Sequence, residues 1–400
     1  MADTDKQIYR ASTTAPVNIA VIKYWGKRDA TLNLPTNSSL SVTLSQRDLR
    51  THTTATCSAA YPAGDALILN SNAEDITAPR TQAVLRSLRA LRASLEATDA
   101  SLPKLSTYPL RISSVNNFPT AAGLASSAAG LAALVRAIAD LYALPTSPSE
   151  LSLIARQGSG SACRSLFGGY VAWDQGTLPT GLDSRARLVA PASHWPEMRA
   201  LILVVSAAKK GVSSTTGMQT TVATSTLFQT RAATVVPARM KAMENAILAR
   251  DFAAFATLTM ADSNSFHATC LDTAPPIFYL NDVSRAAIRA VEEINDNVAT
   301  TTTAADGKKA PTPMAAYTFD AGPNAVIYYL AEHEHVVAGT FKKTSLGQLE
   351  GWGGEQGRAV DAAAGVDLDA RVRSVLEDGV SRVILTRVDE GPESVQDHLI

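Results

Sequence analysis

Lys23 and Lys27 stand four residues apart around Tyr24-Trp25-Gly26. If that stretch is a strand breaking into a turn, the two ammonium groups can serve different groups of one anionic ligand. Tyr and Trp would add apolar walls and one donor each. A second cluster is Gly158-Ser159-Gly160-Ser161-Ala162-Cys163-Arg164. Its glycines free the backbone for an anion nest, and Arg164 can grip a carboxylate or phosphate bidentately. A third is Pro119-Thr120-Ala121-Ala122-Gly123-Leu124-Ala125-Ser126-Ser127, followed by a helical period. Small residues let backbone N–H groups approach a ligand, and a helix start presents free donors and partial positive charge. Polyphosphate is the natural ligand of such a loop. Asp320, after an apolar run and before Ala-Gly-Pro, would sit at a strand end. There a carboxylate can orient or deprotonate a hydroxyl that attacks a phosphoryl group.

Each cluster also has a plain reading: solvated lysines on a turn, a helix cap beside a surface arginine, a small-residue helix contact, an Asx turn. The loop matches neither G-x-x-x-x-G-K-[ST] nor G-x-G-x-x-G, so it is not a Walker A loop or a dinucleotide fingerprint. His333-Glu334-His335 lacks a third ligand and reads as a polar loop, so no protein-held metal site is expected. Cys163 reads as a packing thiol, since no base stands beside it in sequence. His267 reads as structural or pocket-lining and is assigned no chemistry.

Elements must hold these clusters in place. Residues 15–25 and 39–56 read as strands, and 80–97 as a helix with Val84, Leu85, Leu88, Leu91 and Leu95 on one face. Arg86, Arg89 and Arg92 then fall on a face expected to be solvated. A helix follows Ser126–Ser127 and ends before Pro145, and Pro148 opens another. The connector at 99–109 is a candidate adenine wall by position alone. Strands are expected at 110–115, 166–173, 200–206, 314–319 and 324–330, and helices near 237–261 and 276–298. The segment 176–196 is loop-rich and marks a lobe boundary near 190. Residues 299–313 read as a low-complexity surface insertion. Strands alternating with helices place the chain in the α/β (α+β) class.

The chain has 400 residues, with 36 Lys and Arg against 37 Asp and Glu, a net charge of −1. No global basic field exists to hold a nucleic-acid backbone, so no nucleic-acid partner is expected. A hydrophobic fraction of 46% supplies ample core. Three scattered cysteines, Cys57, Cys163 and Cys270, argue against a disulfide framework. No leader or membrane span is evident, and a cytoplasmic location is expected.

The loop at 119–128 resembles the ATP-phosphate loop of the GHMP kinase superfamily, and its companions narrow the likeness. Ala15-Pro16-Val17-Asn18-Ile19-Ala20, Lys23 through Asp29, Asn37 through Leu44, Gly158 through Ser165 and Tyr317 through Asn324 resemble blocks of the diphosphomevalonate decarboxylases, in that family's order. The resemblance implies a two-lobe fold with a deep cleft, residues 1–190 forming one lobe and 191–400 the other. It implies that Asp320 is the catalytic base, with Lys23 and Arg164 beside it. Tyr24, Trp25, Gly26, Lys27, Arg80, Ser159, Gly160, Ser161, Ala162, Cys163, Arg164 and Thr215 would bind mevalonate 5-diphosphate. Pro119, Ala122, Gly123, Leu124, Ala125, Ser126 and Ser127 would bind ATP, with Mg²⁺ on its phosphates. A homodimer is also implied. Two alternatives stay open: a sibling small-molecule kinase, which would lack the Tyr24–Asp29 block, and a nucleotide-binding module without chemistry.

Overall fold

A computed structural model describes residues 7–118, 126–205, 211–297, 301–303 and 309–400. Three sheets carry the chain. The first orders Glu393–Val395, Tyr9–Pro16, Arg50–Cys57, Leu110–Asn116, Ala66–Leu69 and Asn72–Glu74. Only its pairing of Ala66–Leu69 with Leu110–Asn116 is parallel. The second orders Ala186–Ala190, Tyr170–Trp173, Ser39–Thr43 and Asn18–Ile22. The third orders Ala315–Phe319, Ala325–Leu330, Met198–Val204 and Arg382–Arg387, antiparallel throughout.

Strand alternation explains why Met198–Val204 is apolar on every residue but one. Met198, Ala200, Ile202 and Val204 pack into a core with the helices Val236–Ala249 and Phe252–Leu271. Leu201 and Leu203 point the other way, into a core with the helix Asp282–Asn297. A strand covered on both faces has no solvated side to make polar. A third core lies between the first sheet and the helices Pro79–Thr98, Ser126–Leu141 and Pro148–Gly158. The last of these begins with a capping box, in which Ser147 and Glu150 satisfy each other's backbone N–H groups.

Several expectations are corrected. Arg86 is exposed, but Arg92 is 3% exposed and ion-paired to Glu96 at 2.8 Å. Arg92 also donates to the Tyr142 and Pro103 carbonyls, while Glu96 accepts from Ser106. Charge therefore pins the 99–109 connector to its helix instead of facing water. The helix expected near 237–261 is two helices, parted where Arg250 adopts φ 54°. The segment expected to be loop supplies the strand Ala186–Ala190. The helix expected from 276 starts at Asp282, after the Pro275-Pro276 pair. Within the expected insertion, Thr301–Thr303 pairs with Lys309–Pro311. Among the described residues, no helix is long and apolar enough to cross a membrane.

Candidate active site

Asn18–Ile22 is an edge strand of its sheet and Ala315–Phe319 an edge strand of another. A cavity of about 380 Å³ opens beyond their C-terminal ends. Its lining brings together Lys23, Tyr24, Trp25, Lys27, Arg80, Ser126, Ser127, Ser159, Gly160, Ser161, Arg164, Thr215 and Asp320. Four cations thus face one carboxylate, a potential suited to a polyanion. Gly26, Ala162 and Cys163 stand behind this lining. Pro119, Ala122, Gly123, Leu124 and Ala125 lie outside the described residues. Ser126 and Ser127 open the helix Ser126–Leu141, and Ser127 Oγ lies 3.4 Å from Ser159 Oγ. The helix start and the Ser159–Arg164 turn therefore form adjoining walls. The 99–109 connector does not line the cavity.

Asp320, the expected base, and Lys23, the lysine expected beside it, follow strands of different sheets. Lys23 follows Ile22, and its Nζ lies 2.7 Å from Asp320 Oδ1. The lysine side chain is 3% exposed and the aspartate 29%, so the carboxylate reaches the cavity while the ammonium stays behind it. Burial lowers the Lys23 pKa, and Asp320 pulls it back up.

Arg164 is buried yet has no carboxylate partner among the described residues. Its Nε donates to Asn18 Oδ1 at 3.2 Å and Ser41 Oγ at 3.0 Å, and Nη1 donates to Ser39 Oγ at 2.5 Å. The Trp173 ring lies under the guanidinium at 6.0 Å. Neutral acceptors aim the fork but leave its charge unmatched, and a buried unmatched cation is costly. A ligand anion would relieve that cost. Asn18 is itself fixed by donating to Ser161 O and Ser165 Oγ.

Two glycines are required by shape. A Cβ on Gly160 would stand 2.8 Å from Tyr24 Cε1 and 2.9 Å from Trp173 Cη2. Gly26 has φ +83°, where a side chain is strained, and a Cβ would also strike Phe228 and Thr36. This turn separates Trp25, locked among Phe266, Tyr279 and the Thr221 hydroxyl, from half-buried Lys27. Burial, then the charge of Arg80, brings the Lys27 ammonium down to about 8. Arg80 Nη1 donates to Thr215 Oγ1 at 3.3 Å, which joins two elements far apart in sequence.

Cys163 Sγ donates to the Gly160 carbonyl at 2.9 Å, and burial pushes its thiol up to about 12. It packs the turn and offers no thiolate. Burial holds His267 down to about 3, so it is neutral across the ordinary pH range. Sequence reasoning gave no role to Asn18, Ser39 or Ser41, although all three stand in the quoted blocks. It also missed Asp262, which is 0% exposed and bridges Arg231, Arg239 and the Lys23 backbone.

Comparisons with known proteins agree with this geometry. A family model described as diphosphomevalonate decarboxylase-like N-terminal domain matches residues 15–186. Another, mevalonate 5-diphosphate decarboxylase C-terminal domain, matches residues 200–395. Diphosphomevalonate decarboxylase of Aspergillus fumigatus is 65% identical over 405 aligned positions, covering 100% of this chain and 97% of that one. A crystal structure of mevalonate 5-diphosphate decarboxylase is 55% identical with a TM-score of 0.87, covering 98% of each chain. MDDEF in complex with MVAPP, AMPPCP and magnesium is 29% identical with a TM-score of 0.73, covering 98% of this chain and 100% of that one. With both halves matched, and a cationic cleft built from the expected blocks, the chain belongs to the diphosphomevalonate decarboxylase family.

Proposed function

We propose that this protein catalyses the ATP-dependent decarboxylation of (R)-5-diphosphomevalonate to isopentenyl diphosphate, with ADP, phosphate and carbon dioxide, in isoprenoid and sterol biosynthesis. The observation that carries this reading is the single cavity in which Asp320, Lys23 and Arg164 face Ser126 and Ser127 at a helix start. A base, an anion grip and a phosphate cradle stand within one ligand length. The cations of that cavity suit the ligands MVAPP and AMPPCP held by the MDDEF structure.

In this reading Asp320 takes the proton of the tertiary C3 hydroxyl as its oxygen attacks the γ-phosphoryl group of ATP. The C3 phosphate ester then leaves as inorganic phosphate. Positive charge develops at C3, the C1–C2 bonding electrons move to form the C2–C3 double bond, and C1 departs as carbon dioxide. Lys23 holds Asp320 in place through their ion pair, Arg164 holds the substrate carboxylate, and Lys27, Arg80 and Thr215 hold the diphosphate end. Tyr24, Trp25, Gly26 and the Ser159–Cys163 turn shape the wall between them. Ser126 and Ser127 serve the ATP phosphates and their metal, together with Pro119 and Ala122 through Ala125. Mg²⁺ in this reading is carried mainly by nucleotide phosphates and water. When bound, Mg²⁺ neutralises developing charge on those phosphates.

The reading includes a lobe of residues 1–190 and a lobe of 191–400, with the chain's last strand returning to the first sheet. It also includes a cytoplasmic homodimer. The direct test is product analysis with ATP and mevalonate 5-diphosphate. ADP, phosphate and carbon dioxide are expected in equal amounts. ADP formed without carbon dioxide or phosphate would identify a kinase instead.

The lowered pKa of Lys27 sets a second expectation. An anionic group binding Lys27 raises its pKa, so the contribution to affinity is complete below about 8. It is lost as pH rises from there through the higher pKa of the complex, by up to about tenfold per pH unit. KM for the diphosphate substrate should climb above about pH 8, and Lys27→Met should show a high, flat KM. A wild-type KM that stays level to about pH 10 would remove Lys27 from the diphosphate end.

A further inference from the structure

Lys23 and Asp320 meet at 2.7 Å although their strands share no hydrogen bond and belong to different sheets. Something outside both sheets must set that distance. Two consecutive residues of the helix Phe252–Leu271 touch the two sides. Asp262 Oδ2 accepts the Lys23 backbone N–H at 2.7 Å. Ser263 Oγ accepts the backbone N–H of Phe319, the residue before Asp320, at 3.1 Å. Both side chains are buried, Asp262 at 0% exposure and Ser263 at 1%.

Asp262 is itself over-determined. Arg231 grips both of its oxygens, at 3.0 and 2.9 Å, and Arg239 donates to Oδ1 at 3.1 Å. Burial works against the Asp262 charge, but Arg231, the Lys23 N–H and Arg239 together outweigh it and hold the carboxyl below its ordinary range. Arg231 opens a π-helical turn, Arg231–Val235, an insertion that re-aims side chains in a helical run. Asn37 Nδ2 holds the Lys23 carbonyl at 2.9 Å, so the Lys23 residue is pinned at its N–H, its carbonyl and its ammonium.

We infer that the Phe252–Leu271 helix is the common template of the Lys23–Asp320 pair, with Asp262 and Ser263 as positioning residues for the reaction. This rests on Asp320 being the base. Neither residue lines the cavity, so each acts through the residue it holds. A misplacement near 1 Å at a reacting group costs about 100-fold in rate, which is the scale on which such an anchor matters.

The variant Asp262→Asn removes the charge that two buried arginines share, and it is at risk of misfolding. Ser263→Ala is the cleaner probe, because it deletes one acceptor and leaves the ion cluster whole. Ser263→Ala should lower kcat about 10- to 100-fold while KM for ATP and for mevalonate 5-diphosphate stays within about twofold of wild type. Ser263→Thr, which keeps the hydroxyl, should recover most of the rate. Thr259→Val removes another buried hydroxyl of the same helix, one without a partner among the described residues, and should leave kcat unchanged. Wild-type kcat in Ser263→Ala, or equal losses in Ser263→Ala and Thr259→Val, would overturn the positioning role. Asp320→Ala is run beside them: a dead Asp320→Ala with a fully active Ser263→Ala defeats the anchor alone, whereas an active Asp320→Ala defeats the base on which it rests.

Discussion

Asp320→Ala is expected to reduce kcat by about 10²- to 10⁴-fold, the contribution of a well-placed general base, with ATP affinity largely kept. The carboxylate is the only acidic side chain of the described cavity lining, and it stands partly open to the cavity beside a buried ammonium. No neighbouring acid can substitute. Asp320→Asn separates two contributions. It keeps the shape and a hydrogen bond acceptor for Lys23 but cannot take a proton, so its loss should match that of alanine. Were asparagine to retain substantial rate, Asp320 would be orienting the hydroxyl without deprotonating it. Removal also strands Lys23, whose burial already favours the neutral amine. The measurement is single-turnover ADP formation alongside nucleotide binding by titration. Near wild-type turnover in Asp320→Ala would refute the assignment.

Arg164→Lys should be nearly as damaging as Arg164→Leu, each costing about 2–5 kcal/mol in kcat/KM, or roughly 30- to 4000-fold. Charge alone is insufficient here. Three neutral oxygens, from Asn18, Ser39 and Ser41, are set to receive a planar fork, and an ammonium cannot match that geometry. In Arg164→Leu those oxygens lose their donor inside a buried site, so a modest drop in thermal midpoint is expected as well. The discriminating result is the split between parameters. If Arg164 holds the carboxylate through decarboxylation, kcat falls with the affinity. A pure rise in KM would confine it to ground-state binding. Lysine restoring wild-type kcat/KM would show that only a point charge is needed.

The cavity lining was legible as candidates wherever its residues are local. Lys23 through Lys27, Ser159 through Arg164 and the Ser126–Ser127 helix start each sit within a few residues; turn residues and period flagged them, and the resemblance weighted them over their plain readings. What holds those clusters was not legible. Asp262 lies 239 residues from Lys23, and nothing in a helical run of small and polar residues marks one aspartate as buried between two arginines. Asn18, Ser39 and Ser41 look like ordinary strand residues until Tyr170–Trp173 and Asn18–Ile22 both pair with Ser39–Thr43, which brings them close enough to share one guanidinium. Arg92 misled for a related reason. The helical period places it off the apolar stripe, but the connector beyond that helix folds back to supply the Pro103 carbonyl, and the end of the helix Ser126–Leu141 supplies that of Tyr142. The apolar pattern reports what packs against carbon and is silent on buried charge that finds polar partners.

The last strand has a consequence of its own. Glu393–Val395 pairs with Ser12–Thr14, and beyond it His398 Nδ1 meets Ser12 Oγ at 2.7 Å while Leu399 N–H donates to Thr54 Oγ1 at 2.9 Å. Without these residues, Tyr9–Pro16 would be the outermost strand of a five-stranded sheet. A long, open strand edge is a template for pairing with foreign chains. The segment 393–399 is therefore a selvedge: it binds the border of the first sheet with a short strand and covers part of an edge that would otherwise lie open.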